Sequence, residues 1–262
     1  MRLLLILLLI SVQGMGQIVS RDVEYDNADS SIHFGGTLTL PAGLQSFPAV
    51  VLVSGTGKQD RDGTMAGHKM FKVIAEYLSN NGIAVLRVDD RGTGKTTGDY
   101  EKATTADFAA DAVTAIAYLK AYPGVKGVGL IGHSEGGAAA YMAAVNSKDV
   151  RFIISLAGLA TTGLKALQAQ NRAIVTSAGI PMLMQQRFNQ INDIMFDTAY
   201  TYAASPDMEQ HLRNAYTLWN EQDLAKGKQD SVYGKSRDHF FFPLESYVRL
   251  ATGPWYRYNV RF

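Results

Sequence analysis

Gly132-His133-Ser134-Glu135-Gly136 is the stretch on which the reading of this chain turns. An apolar run, Val125 to Ile131, precedes it, and a run of mostly small residues, Gly136 to Val145, follows. That context predicts a strand, a sharp turn and a helix. A serine at the tip of such a turn has its hydroxyl lifted off the end of a sheet. The flanking glycines allow the tight turn and a close approach of backbone to backbone.

Upstream, Ile18 to Tyr25 and Ile32 to Leu40 read as an antiparallel pair of strands, joined by turn chemistry at Asp26 to Ser30. Ala49 to Val53 and Ile83 to Val88 are apolar and rich in β-branched residues, as buried strands are. Gly55 to Gly67 reads as a polar loop. Lys69 to Asn80 places Phe71, Ile74, Ala75 and Leu78 on one helical face, and Asn81-Gly82 ends it. Thr104 to Tyr122 is the clearest helix, opened by Thr104-x-x-Asp107, close to a capping box, and stopped by Pro123-Gly124. Asp149 to Ser155 is one more strand. Strands alternating with helices predict a mostly parallel sheet with helices on both faces and an antiparallel start. Polar loops after Val53, Val88 and Ile131 leave from the carboxyl ends of their strands, where the sites of such sheets lie.

Beyond Leu159 no β-branched run recurs. Leu164 to Ile174, Met182 to Phe196 and Met208 to Leu224 read as helices of a cap. Its aromatics, Phe188, Phe196, Trp219 and Phe240 to Phe242 among them, are expected to pack helix on helix. Its aspartates, Asp193, Asp197, Asp207, Asp223, Asp230 and Asp238, are expected on solvated faces. The organisation is thus a leader at 1–16, a core at 17–158, a helical cap at 159–250 and the start of a return to the core at 251–262.

The chain of 262 residues has a net charge of +1, which gives no field for nucleic acid or an anionic membrane surface. With no cysteine it has no disulfide, thiolate metal site or thiol nucleophile. Its five histidines match no metal-ligand spacing, so neither a metal nor a cofactor is expected. Arg2, the apolar run Leu3 to Ile10 and the small residues Gly14-Met15-Gly16 form a secretory leader pattern. Export to a bacterial periplasm or the exterior is therefore expected, with a mature chain from near Gln17 and no stable membrane span. Gly92-Thr93-Gly94-Lys95-Thr96-Thr97 has the tail of a phosphate-binding loop, but Asp89 stands where its first glycine is required.

A serine hydroxyl attacks a carbonyl only when a base takes its proton and donors hold the oxyanion. Ser134 is the candidate nucleophile. The candidate oxyanion donors are the backbone N–H groups of Glu135 and of Thr56, with Gly55 beside it, in the small-residue loop Ser54-Gly55-Thr56-Gly57. His133, inside the motif, points away from the hydroxyl and is expected to pack or hydrogen-bond. Asp60 and Arg91 are expected to brace the loops.

Three segments together carry a resemblance. Ser54-Gly55-Thr56-Gly57-Lys58-Gln59-Asp60-Arg61-Asp62, Asp89-Asp90-Arg91-Gly92-Thr93-Gly94 and Gly132 to Gly136 resemble, in order, the loops of exported bacterial α/β-hydrolases. The resemblance implies an α/β-hydrolase fold with a helical cap. It also implies an esterase or serine-aminopeptidase-like hydrolase that cleaves small carboxylic esters or amides through an acyl-enzyme. It further implies an acid on a later strand and a histidine after that acid. Leu156 to Thr162 has no carboxylate, and past Ser134 the histidines are His211 and His239, both in the cap. The expectation is that the last core strands, with their Asp and His, are missing and that this fragment is inactive, against a compact enzyme that recruits His239 or His211 as its base. The alternative is a hydrolase-like protein without catalysis that binds a ligand under the cap. A peptidase or thioesterase remains open, as does the oligomeric state.

Overall fold

The computed structural model describes residues 18–237 and 240–262. The expected leader, Asp238 and His239 lie outside the described residues. Among those described, six strands form the main sheet, in the order β1 (Val19–Asp26), β2 (His33–Leu40), β6 (Ala84–Val88), β3 (Phe47–Val53), β7 (Val125–His133) and β8 (Val150–Leu156). β1 and β2 are antiparallel to their neighbours, and β6, β3, β7 and β8 run parallel. Within and just past the polar loop after β3, β4 (Thr64–Met65) and β5 (His68–Lys69) pair as a small ladder.

Side-chain alternation along β3 explains the layers. Ala49, Val51 and Val53 face one side with α2 (Thr105–Ala121) and α3 (Glu135–Asn146). Val50 and Leu52 face the other with α1 (Met70–Asn80). Alanines at 112, 115, 139, 140 and 143 are buried between sheet and helices and let α2 and α3 lie close. The Thr104–Asp107 capping box is formed, with Thr104 N donating to Asp107 Oδ2 at 2.9 Å.

After β8 the chain is helical: α4 (Gly163–Ser177), α5 (Met182–Tyr202), α6 (Met208–Gln229), α7 (Ser231–Lys235), α8 (Leu244–Ala251) and α9 (Pro254–Arg261). These helices bury a core of their own, including Ile191, Met195, Leu212, Trp219 and Tyr256. Asp223 corrects the expectation of solvated aspartates. It is 4% exposed, accepts from Arg187 Nε at 2.9 Å and from the Tyr233 hydroxyl, and lies 2.7 Å from Arg237 Nε. Asp223 falls at helical spacing on the face of α6 that also buries Met208, Leu212 and Trp219, so its position, though not its partners, is written in the local pattern.

From β3 the chain crosses to β6 on one side, and then passes to β7 on the other. The connections part between the carboxyl ends of β3 and β7, and a crevice opens there. At the far edge β8 pairs only with β7 among the described residues, and Phe152 and Ile154 on it stand exposed.

The crevice depends on missing side chains. A methyl group at 132 would strike the Gly136 carbonyl, and one at 136 would strike the carbonyls of Val53 and Ser54. Gly136→Ala is therefore expected to destabilise the protein by about 1–3 kcal/mol or more through overpacking, read as a lowered urea midpoint. An unchanged midpoint would show that the strand ends are looser than this packing requires.

Candidate active site

Ser134 sits between β7 and α3 with φ 53° and ψ −119°. A side-chain-bearing residue held there costs on the order of 1–3 kcal/mol. The surroundings hold it. Its N–H donates to Leu156 O at 2.9 Å, and its carbonyl accepts from Gly137 N at 2.9 Å. Gly55 packs so close that an added methyl would lie 3.1 Å from Ser134 Cβ. Gly137 meets Gly158 on the β8 side in the same manner. Ser134 is half-buried and lines a cavity of about 60 Å³, together with Thr56, Glu135, Leu159, Trp255 and Asn259.

The structure thus brings Ser134, Thr56 and Glu135 to one cavity. Among the described residues neither the Thr56 nor the Glu135 backbone N–H has a protein acceptor. Both remain available to an oxygen in that space. The loop that carries Thr56 is fixed from the facing loop by Asp90. Ser54 Oγ donates to Asp90 Oδ1 at 2.5 Å, Gln59 N donates to Oδ2 at 2.8 Å, and Asp90 N donates to Gln59 O at 3.1 Å. Burial, and after it the charges of Asp111 and Glu135, push the Asp90 carboxyl up to about 6 against these hydrogen bonds.

Asp60 and Arg91 lie further out. Asp60 closes its own turn, accepting from the Asp62 and Thr64 N–H groups and from Thr64 Oγ1. Arg91 forks onto Asp111 of α2, with both bonds at 2.8 Å. Arg61, quoted within the loop motif but given no role of its own, forks onto Asp89 and also reaches the Gly36 carbonyl. His133 Nδ1 is buried beside Gly55 without a partner among the described residues. His211 stacks on Tyr202, ring centroids 3.5 Å apart, and does not line the Ser134 cavity. No histidine among the described residues lines that cavity.

One role escaped the reading of the sequence: that of the Glu135 side chain. It is 3% exposed and no cation pairs with it among the described residues. Its carboxylate accepts from Thr56 Oγ1 (2.8 Å), Thr105 Oγ1 (2.6 Å), Trp255 Nε1 (2.6 Å) and, more weakly, Asn259 Nδ2 (3.5 Å). A carboxylate removed from water is costly unless its lone pairs are satisfied. Here neutral donors from three parts of the fold satisfy it: the loop after β3, the start of α2, and α9.

A strained serine between strand and helix, two backbone N–H groups without a protein acceptor in the same cavity wall and a helical unit above the carboxyl ends are the arrangement of an α/β-hydrolase fold. The sequence profile described as serine aminopeptidase, S33, matches residues 62–231, well over half of the chain, and the chain belongs to that family. Esterase EstD of Thermotoga maritima is 40% identical over 101 residues, 38% of this chain. The match covers 24% of that esterase, so the chain spans about a quarter of the length of the curated relative it matches. The Pyrococcus furiosus esterase PF2001 aligns over 67% of this chain and 61% of its own, with 24% identity and a TM-score of 0.49. The α/β hydrolase GrgF from Penicillium sp. sh18 aligns over 63% and 57%, with 25% identity and a TM-score of 0.48.

Two measurements probe the site's supports. Glu135→Ala strands several buried donors and is expected to cost more than about 2 kcal/mol in urea unfolding, whereas Glu135→Gln, which keeps an acceptor, costs less. Equal losses would refute the acceptor role. Burial pushes the Asp90 carboxyl up to about 6 in the folded chain, against about 3.9 for an unperturbed aspartate. The folded state therefore binds more protons between those values, and the contribution of Asp90 to stability falls as pH rises through that window. Asp90→Asn is expected to gain on the wild type from pH 4 to 6; parallel pH profiles would contradict this.

Proposed function

We propose that Ser134 is the nucleophile of a carboxylic-ester hydrolase that works through an acyl-enzyme. The observation that carries the reading is the backbone at Ser134, held at positive φ beside two unpaired N–H donors. In this reading Ser134 Oγ attacks the ester carbonyl carbon, and the carbonyl oxygen takes up negative charge between the Thr56 and Glu135 N–H groups. Preorganised donors of this kind are worth about 2.7–4 kcal/mol each where one has been removed from a hydrolase. A general base takes the Ser134 Oγ proton and passes it to the leaving oxygen as the tetrahedral species collapses, so the alcohol departs and the acyl group stays on Ser134; water, giving up a proton to the same base, then releases the acid. The esterase relative supports an ester substrate, and the family's name keeps small amides within range.

We further infer that the general base lies outside the described residues. The Ser134 cavity lacks an imidazole among those described, and His211 is committed to its stack on Tyr202. Without a base, oxyanion stabilisation and binding alone sustain only a small part of the rate. In this proposal the described residues by themselves acylate slowly, the acid and base being supplied from outside them. Export is part of the same proposal, on the strength of Arg2 and the apolar run Leu3 to Ile10.

A neutral fluorophosphonate is expected to label Ser134 slowly and stoichiometrically, faster when imidazole is added as an external base, and not at all in Ser134→Ala. Mass spectrometry of the labelled peptide checks this. An unlabelled Ser134 after prolonged incubation with imidazole would overturn the nucleophile assignment. A rapid burst without imidazole would overturn the inference about the base.

A further inference from the structure

Beside the Ser134 cavity, between the sheet's loops and the helical unit, lies a larger cleft of about 410 Å³. The two spaces share Thr56 and Trp255 in their walls. A molecule that reacts at Ser134 has this cleft as its continuation. Leu250, Pro254 and Trp255 give it an apolar side.

Two cations line it: Lys58 from the loop after β3, its ammonium close to Gly92, and Arg249 from α8. Neither has a carboxylate within ion-pair distance among the described residues, and the acids around them are already engaged. Glu245, one turn before Arg249, is held by the fork of Arg213 at 2.7 and 2.9 Å. Asp60, on the loop of Lys58, serves Asp62 and Thr64, and Asp90 on the facing loop serves Ser54 and Gln59. The Tyr100 hydroxyl in the same wall accepts from Gly57 N at 2.8 Å, so its own proton is free to be donated. Glu101 is the single acid among the lining residues and opposes the two cations. Unpaired guanidinium and ammonium groups flanking an apolar slot suit a ligand that is apolar along its length and anionic at its end.

We propose that this cleft is a binding compartment for an anionic end group, carboxylate or phosphate, on a substrate whose ester or amide carbonyl lies at Ser134. The orientation of that substrate rests on the nucleophile reading; the anion site itself does not. The substrates so selected are half-esters and related molecules with a free acid remote from the bond that is cut, in preference to neutral esters of the same length.

The test is calorimetric binding to the Ser134→Ala chain, which removes turnover. Three probes of matched length are compared: monobenzyl glutarate, neutral benzyl pentanoate, and the same benzyl ester ending in phosphate. At least one anionic probe is expected to bind about tenfold or more tightly than benzyl pentanoate, with an advantage that shrinks as salt is raised. Whichever anion binds more tightly identifies the end group. Lys58→Ala and Arg249→Ala are each expected to weaken anion binding by up to roughly fivefold, and Glu101→Gln to strengthen it. All three side chains are largely on the surface, so the variants should fold. Equal affinity for the neutral probe, anion affinity unmoved by both cation variants, or no binding of any probe overturns the proposal. Fluorophosphonate labelling of the unaltered Ser134 is read alongside, and it reports on the nucleophile alone. Intact labelling without charge preference would sink the anion compartment and leave the hydrolase reading standing.

Discussion

The backbone kink at Ser134 is the constraint from which the rest of the site follows. At φ 53° and ψ −119° a residue with a side chain is under strain, and the fold must supply the energy that keeps it there. It does so by leaving out atoms. Gly132, Gly136, Gly137 and Gly158 bring strand ends, helix and loops within distances that a methyl group would not tolerate, and at Gly55 a methyl would fit only with a shift of its neighbours. Once β3 and β7 end side by side with α3 starting between them, the first N–H groups of that helix and of the loop after β3 have no sheet partner. They become donors to whatever occupies the crevice. Strain at one residue and unpaired donors nearby are thus two results of the same packing.

Glu135 joins this kink to the helical unit. Its backbone begins α3, while its side chain turns back to hold Thr56, Thr105 and Trp255. Taking a carboxylate out of water is costly even when neutral donors satisfy its lone pairs. Its use here argues for geometric control: the loop after β3 and the helix α9 are both positioned by the residue that follows the candidate nucleophile. Asp90 does similar work on the outer side of the same loop.

How much of this could be read from the sequence depends on how local each signal was. The parallel sheet, α1 and α2 follow from apolar periodicity and caps within single segments. The turn at Ser134 follows from glycines beside an apolar run. The later helices are legible in part. α5 and α6 start where their patterns start, yet run to Tyr202 and Gln229, further than the apolar spacing indicates. Pro254 at the first turn of α9 was a readable start signal, hidden because the segment that follows has aromatic and polar residues without a clean stripe. The Glu135 side chain was not legible at all: its donors lie 79, 30 and 120 residues away along the chain. The partners of Asp223 were hidden for a similar reason, because Arg187 and Tyr233 reach it from other helices.

Trp255 stands in the walls of both the inner cavity and the outer cleft and is tied by its indole N–H to the carboxylate that also holds Thr56. Anything that leans on the indole from outside therefore does work on the donor inside. By thermodynamic reciprocity, a guest in the outer cleft that favours one seating of the indole is itself bound more tightly by whatever favours that seating from within. The two neighbouring spaces thus share one wall, and occupancy of either is felt through how one ring is seated.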